Sequence, residues 1–159
     1  PSGIYFRKDR GKRCENPDLI YNNFSVKKEL NFNSNKIWTI ISNFGHSLSP
    51  NINIKLESQG NPVSNGIGSI RIVTIGKRQF RERLENIKPQ YNISYRLLSG
   101  APVNNYIGNI DIEPFRTNTL IKWNVQFRPK VLGSGWIVKW FVKRTINYII
   151  SEIETEYKN

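Results

Sequence analysis

The sequence predicts an α+β domain in which a curved, seven-stranded antiparallel sheet wraps one long C-terminal helix. Two patterns carry the prediction. Around residues 83–129, four β-like stretches run with almost unbroken alternation: Phe80, Glu82 and Leu84; Tyr91, Ile93, Tyr95 and Leu97; Tyr106, Ile110 and Ile112; Ile121, Trp123, Val125 and Phe127. Period-two alternation means one buried and one wet sheet face. A long amphipathic stretch, Gly135 to Tyr157, then closes the chain. A curved sheet gripping such a helix leaves a hollow between them, and Tyr and Trp at inward positions suit a small, largely apolar guest.

Residues 1–20 are polar, basic and Pro-punctuated, without a helical or strand period, and are expected to form an extended or mobile arm. Residues 21–159 are read as a single domain. Phe24, Val26 and Leu30 share a parity against Lys27 and Glu29, giving the first strand. Asn33-Ser34-Asn35 ahead of Ile37, Trp38, Ile40 and Ile41 is a helix start signal. Asn43-Phe44-Gly45 ends that helix and Ser49-Pro50 breaks the chain again, so two short helices are expected here.

Residues 51–58 alternate with Ile52, Ile54 and Leu56 inward, and residues 60–68 form a turn-rich loop. A strand follows at 68–75, and Gly76-Lys77-Arg78 makes a tight link to the strand beginning at Gln79. Lys88-Pro89-Gln90 and residues 115–118 are further hairpin links, which make the later sheet antiparallel. In the last segment Val138, Val142, Ile146, Ile149, Ile153 and Tyr157 recur at helical spacing. Strands with helices on one face define the α+β class.

Composition narrows the function. A chain of 159 residues buries roughly 70% of its unfolded surface, enough for a core without covalent staples. No stretch approaches the roughly 18 apolar residues needed to span a bilayer, and no leader-like apolar run opens the chain. One cysteine, Cys14, excludes an internal disulfide, and with a single histidine there are too few soft ligands for structural zinc. No metal and no cofactor are expected. Phosphate-binding glycine loops, a Ser/His/Asp set and paired catalytic carboxylates are absent in recognisable form.

The net charge of +12 is concentrated at Arg7, Lys8, Arg10, Lys12 and Arg13, and again at Lys77, Arg78, Arg81 and Arg83. Such a field attracts polyanions, but no nucleic-acid-binding module accompanies it, so a nucleic-acid partner is not expected. Peripheral contact with an anionic membrane stays open, as do oligomeric state and compartment, with cytoplasmic as the default.

The motifs Glu82-Arg83-Leu84-Glu85, Ser94-Tyr95-Arg96 and Ser99-Gly100-Ala101-Pro102-Val103 resemble the polyketide cyclase/dehydrase-like branch of the START-like (SRPBCC) superfamily. The likeness extends from about Phe24 to the C-terminus. It takes in Asn43-Phe44-Gly45, the Gly66 to Arg71 entry into a strand, and Trp123 through Arg128-Pro129. It implies a helix-grip fold with a deep pocket for a hydrophobic or aromatic ligand, lipid or polyketide-like. It also implies a gate at residues 99–103, which brings Pro102 into the pocket. No shared catalytic signature maps onto the chain.

Within that frame Glu82 points inward by parity. It is either a general acid/base or ligand anchor, or one half of an ion pair with Arg71 or Arg96. Tyr95, Tyr106 and Trp123 share the inward parity and either orient a ligand or fill an aromatic core. Trp38, on the short helix, is a further pocket candidate. His46 lies at the expected mouth and is the second candidate for proton transfer. The expected function is binding of a small hydrophobic molecule, with a cyclase or dehydratase acting on such a ligand as the alternative.

Overall fold

The computed structural model describes residues 21–43 and 48–156. Strands β1 (Asn22–Leu30), β2 (Ile52–Ser58), β3 (Ile70–Ile75), β4 (Arg78–Lys88), β5 (Asn92–Ser99), β6 (Val103–Phe115) and β7 (Asn118–Pro129) form one antiparallel sheet in the order β1-β7-β6-β5-β4-β3-β2. Helix α1 (Ser34–Ser42) follows β1, and helix α2 (Gly135–Glu156) closes the chain. The expected α+β helix-grip architecture is therefore present. Of the two short helices expected after β1, the first is α1. The stretch for the second includes residues 44–47, outside the described residues. The expected arm, residues 1–20, lies outside them too.

β2 through β7 are joined by hairpins, so each pairs with its chain neighbour. β1 instead pairs with β7, with Val26 opposite Trp123, and α1 carries the chain across to the far edge where β2 begins. Asn33 starts that helix because its side-chain oxygen accepts the Lys36 backbone N–H at 2.9 Å. Helical spacing then buries Ile37, Ile40 and Ile41. Register shifts interrupt the ladders at Leu56/Ser58, Arg81/Glu82, Leu84/Asn86 and Asn104/Ile107. Each extra residue bends its strand and increases local twist, which lets a wide sheet cup a helix.

The long helix turns Val138, Val142, Ile146, Ile150 and Ile153 into the core. Ile150 is absent from the stripe that the sequence predicts. It completes a four-residue series with Val142 and Ile146, while Ile149 sits at the flank of the buried face.

The core is not continuous. A large cluster gathers around Leu30, Ile93, Ile110, Ile121, Phe127 and Ile153, and a smaller one holds Ile52, Ile54, Val73 and Phe80. Leu48, Leu97, Ala101, Phe141 and Ile149 are only partly buried and border both. A discontinuity at that position sets up the site.

Candidate functional site

Where the two clusters meet, a partly open cavity lies between the sheet and α2, lined by members of both, including Ile54, Val73, Phe80, Tyr106 and Ile146, and by Phe141 at their border. The cavity volume is about 70 Å³. That is room for about two waters at roughly 30 Å³ each, and about half the roughly 150 Å³ of an apolar protein cavity that takes up benzene. The cavity is partly open to solvent, so a guest of one aromatic ring has to extend into that opening.

Its walls are mostly aliphatic and aromatic, but one side is polar. Arg71 on β3 and Glu82 on β4 are cross-strand partners. Arg71 Nε and Nη2 both donate to Glu82 Oε2 at 2.8 Å, with the two side chains 11% and 12% exposed. Glu82 therefore faces inward as its parity predicts, and between the two cations considered it pairs with Arg71. Arg96 goes instead to Glu85, its Nε 3.3 Å from Oε1. The Arg71 guanidinium also lies 5.7 Å from the centre of the Tyr95 ring.

Behind the ion pair stand Tyr95, Tyr106 and Trp123, all buried and all lining the cavity. Trp123 Nε1 donates to Tyr95 Oη at 3.0 Å, and the Tyr95 and Tyr106 hydroxyls are 3.4 Å apart. The Trp123 and Tyr95 rings meet edge-on at 85°. Tyr95 ionises well above the ordinary phenol, first because of burial and then because of Tyr106 and the charge of Glu82. Burial raises Tyr106 too, against a hydrogen bond with Tyr95 that pulls the other way. Both phenols therefore keep their protons at neutral pH.

That protonation state has a stoichiometric consequence. The chain from Trp123 through Tyr95 to Tyr106 contains three N–H or O–H donors and two internal hydrogen bonds. One O–H is left over beside the cavity, and a guest oxygen is the natural acceptor.

Gly108, opposite Tyr95 on β6, makes this arrangement possible. A Cβ at Gly108 would fall on the Tyr95 ring. The signal was available as a glycine inside an otherwise alternating strand, which marks close approach by another group. Phe141 and Thr145 on α2 also line the cavity and lie on the edge of the helix stripe rather than within it.

Two of the sequence-derived pocket residues lie elsewhere. Trp38 is half-buried against the main core beside α1 and does not line the cavity. It sits one position past Ile37, rotated toward the edge of the buried face of α1. Pro102 is exposed, while its neighbours Ala101 and Val103 turn inward. Alternation through this loop makes Ala101, not Pro102, a cavity wall. His46 lies outside the described residues. Among the described residues no three His, Cys, Asp or Glu side chains gather where a metal ion could be held.

The basic segment after β3 is largely engaged. Arg81 pairs with Glu57 at 2.6 Å and Arg83 with Glu85 at 2.7 Å, while Arg78 lies over the Phe141 ring at 4.3 Å.

Residues 22–155 match the sequence profile of the family described as polyketide cyclase / dehydrase and lipid transport. The chain belongs to this family. Family members bind hydrophobic ligands. The crystal structure of Ara h 8.0201 superposes with a TM-score of 0.71 at 19% identity, covering 86% of this chain and 97% of that one. Norcoclaurine synthase from Thalictrum flavum, solved with dopamine and hydroxybenzaldehyde, gives a TM-score of 0.65 at 20% identity and covers 99% of both chains. An uncharacterised protein from Bacillus thuringiensis gives 0.69 at 17% identity, covering 87% of this chain and all of its own. At these identities the likenesses establish the fold shared across the family. A comparison with curated proteins found no match.

Proposed function

We propose that this protein binds a small apolar or aromatic molecule carrying one hydrogen-bond-accepting oxygen, held between the sheet and α2. The observation that carries this reading is the surplus O–H of the Trp123–Tyr95–Tyr106 chain at the polar side of an otherwise apolar cavity. The apolar walls supply affinity by removing guest surface from water, and the single donor orients it. Glu82 is engaged by Arg71, and both phenols hold their protons. This suits retaining a guest better than exchanging protons with it, so binding is preferred over cyclase or dehydratase turnover. The structural relative solved with two aromatic compounds supports an aromatic guest.

Calorimetric titration with acetophenone and ethylbenzene tests the proposal, because the two differ chiefly in the carbonyl oxygen. One net hydrogen bond of about 0.5–1.5 kcal/mol predicts roughly 2- to 13-fold tighter binding of acetophenone. Ala101→Phe, which fills the cavity wall from a half-buried loop, should weaken both. Equal affinities for the two compounds would refute the role of the donor. Binding unaffected by Ala101→Phe would refute the location.

A further inference from the structure

Helix α2 has a second apolar face that the sheet does not use. Opposite Val138, Val142 and Ile146 stand Trp136, Ile137 and Trp140, which are 72%, 49% and 59% exposed. Directly ahead of the helix, Val131 and Leu132 are 64% and 81% exposed. Five large apolar side chains within ten residues make a contiguous patch of the kind that marks an interaction surface rather than scattered exposure.

The charges around it have one sign. Lys130, Lys143 and Arg144 are exposed beside the patch and Lys139 is half-buried. No Asp or Glu occurs between Glu113 and Glu152. The Arg144 guanidinium lies 5.5 Å from the Trp140 ring centre, so cation and indole form one surface. A two-fold interface with a second copy would set these cations against their own equivalents, which opposes that occupant. An anionic bilayer complements both halves of the patch. Indole rings favour the headgroup level, and clustered Lys and Arg are drawn to acidic lipid.

The position also suits the cavity. Phe141, next to Trp140, is a cavity wall. A neighbouring groove shares Ile75, Phe80, Phe141 and Thr145 with the cavity and continues to Arg144 and Tyr148. We propose that the β7–α2 turn and the first turns of α2 dock on an anionic phospholipid surface, with Trp136 and Trp140 inserted among the headgroups.

Sedimentation of the full chain with phosphatidylcholine vesicles, with and without 30 mol% phosphatidylserine, tests this. Binding is expected to the phosphatidylserine vesicles, with a blue shift of tryptophan emission. Trp136→Ser/Trp140→Ser should lower the partition coefficient at least tenfold without moving the thermal midpoint. Lys143→Gln/Arg144→Gln should lower it by about 25-fold, at roughly fivefold per cation. The control is Lys27→Gln/Lys55→Gln, at exposed positions that alternate with Val26 and Ile54 and so lie on the other sheet face. Equal loss in the control would overturn the proposal in favour of diffuse charge attraction. So would absent binding to phosphatidylserine vesicles. Indole emission already shielded from iodide in the free protein would overturn it too, by showing the patch covered by this chain or a second copy.

Discussion

Replacing Glu82 by Gln tests the polar side of the cavity most directly. Arg71 and Glu82 are 11% and 12% exposed, and both guanidinium contacts meet one carboxylate oxygen at 2.8 Å. Removing one partner of such a buried pair costs about 3–5 kcal/mol, because the remaining charge keeps its desolvation penalty. Two features reduce that here: Gln retains an acceptor for Arg71, and the Tyr95 ring lies 5.7 Å from the guanidinium. The expected loss is therefore about 2–3 kcal/mol. In a domain of this size that corresponds to a fall in Tm of about 4–12 °C. Arg71→Met/Glu82→Leu, which removes both charges and keeps the volume, should return to within about 1 kcal/mol of the parent. Urea midpoints with unchanged m-values would give both numbers. A Glu82→Gln variant within about 0.5 kcal/mol of the parent, or a double variant less stable than the single, would refute the energetic argument.

Two further outcomes are expected at the same site. Tyr95 and Tyr106 both ionise above the ordinary phenol value of 10.0. Their stabilisation is complete below that value and is lost as pH rises, because the unfolded chain releases protons that the folded chain retains. Stability should fall by about 1.4 kcal/mol per pH unit for each tyrosine between about pH 10 and 12. Urea midpoints of Tyr106→Phe should fall less steeply than those of the parent, and parallel curves would count against burial of the phenol. Gly108→Ala places a Cβ on the Tyr95 ring and should cost about 1–3 kcal/mol through overpacking. It should also change near-ultraviolet circular dichroism by moving Tyr95 against Trp123. An unperturbed spectrum at parental stability would show that Tyr95 relaxes freely.

Much of this was legible because sheets and helices impress their periods on sequence. Alternation at Tyr95, Tyr106 and Trp123 placed all three indoors, and the parity of Glu82 pointed it into the cavity. The gate implied by the family likeness brought in Pro102 by loop position alone, and which loop residue turns inward depends on where the bend at Gly100 (φ 114°) leaves the register. Trp38 failed for a related reason. A short helix shows which face is apolar but not which part of the core that face meets.

Local periodicity determined the α+β class, the strands, the long helix and the inward set of aromatic and acidic side chains. Tertiary structure alone decided that Glu82 meets Arg71 rather than Arg96, that Gly108 yields its space to Tyr95, and that two core clusters leave a hollow between them. The division has one cause. The direction of a side chain depends on its own backbone period, whereas its partners and the space beside it depend on strand order, register shifts and the seating of α2, which join residues far apart along the chain.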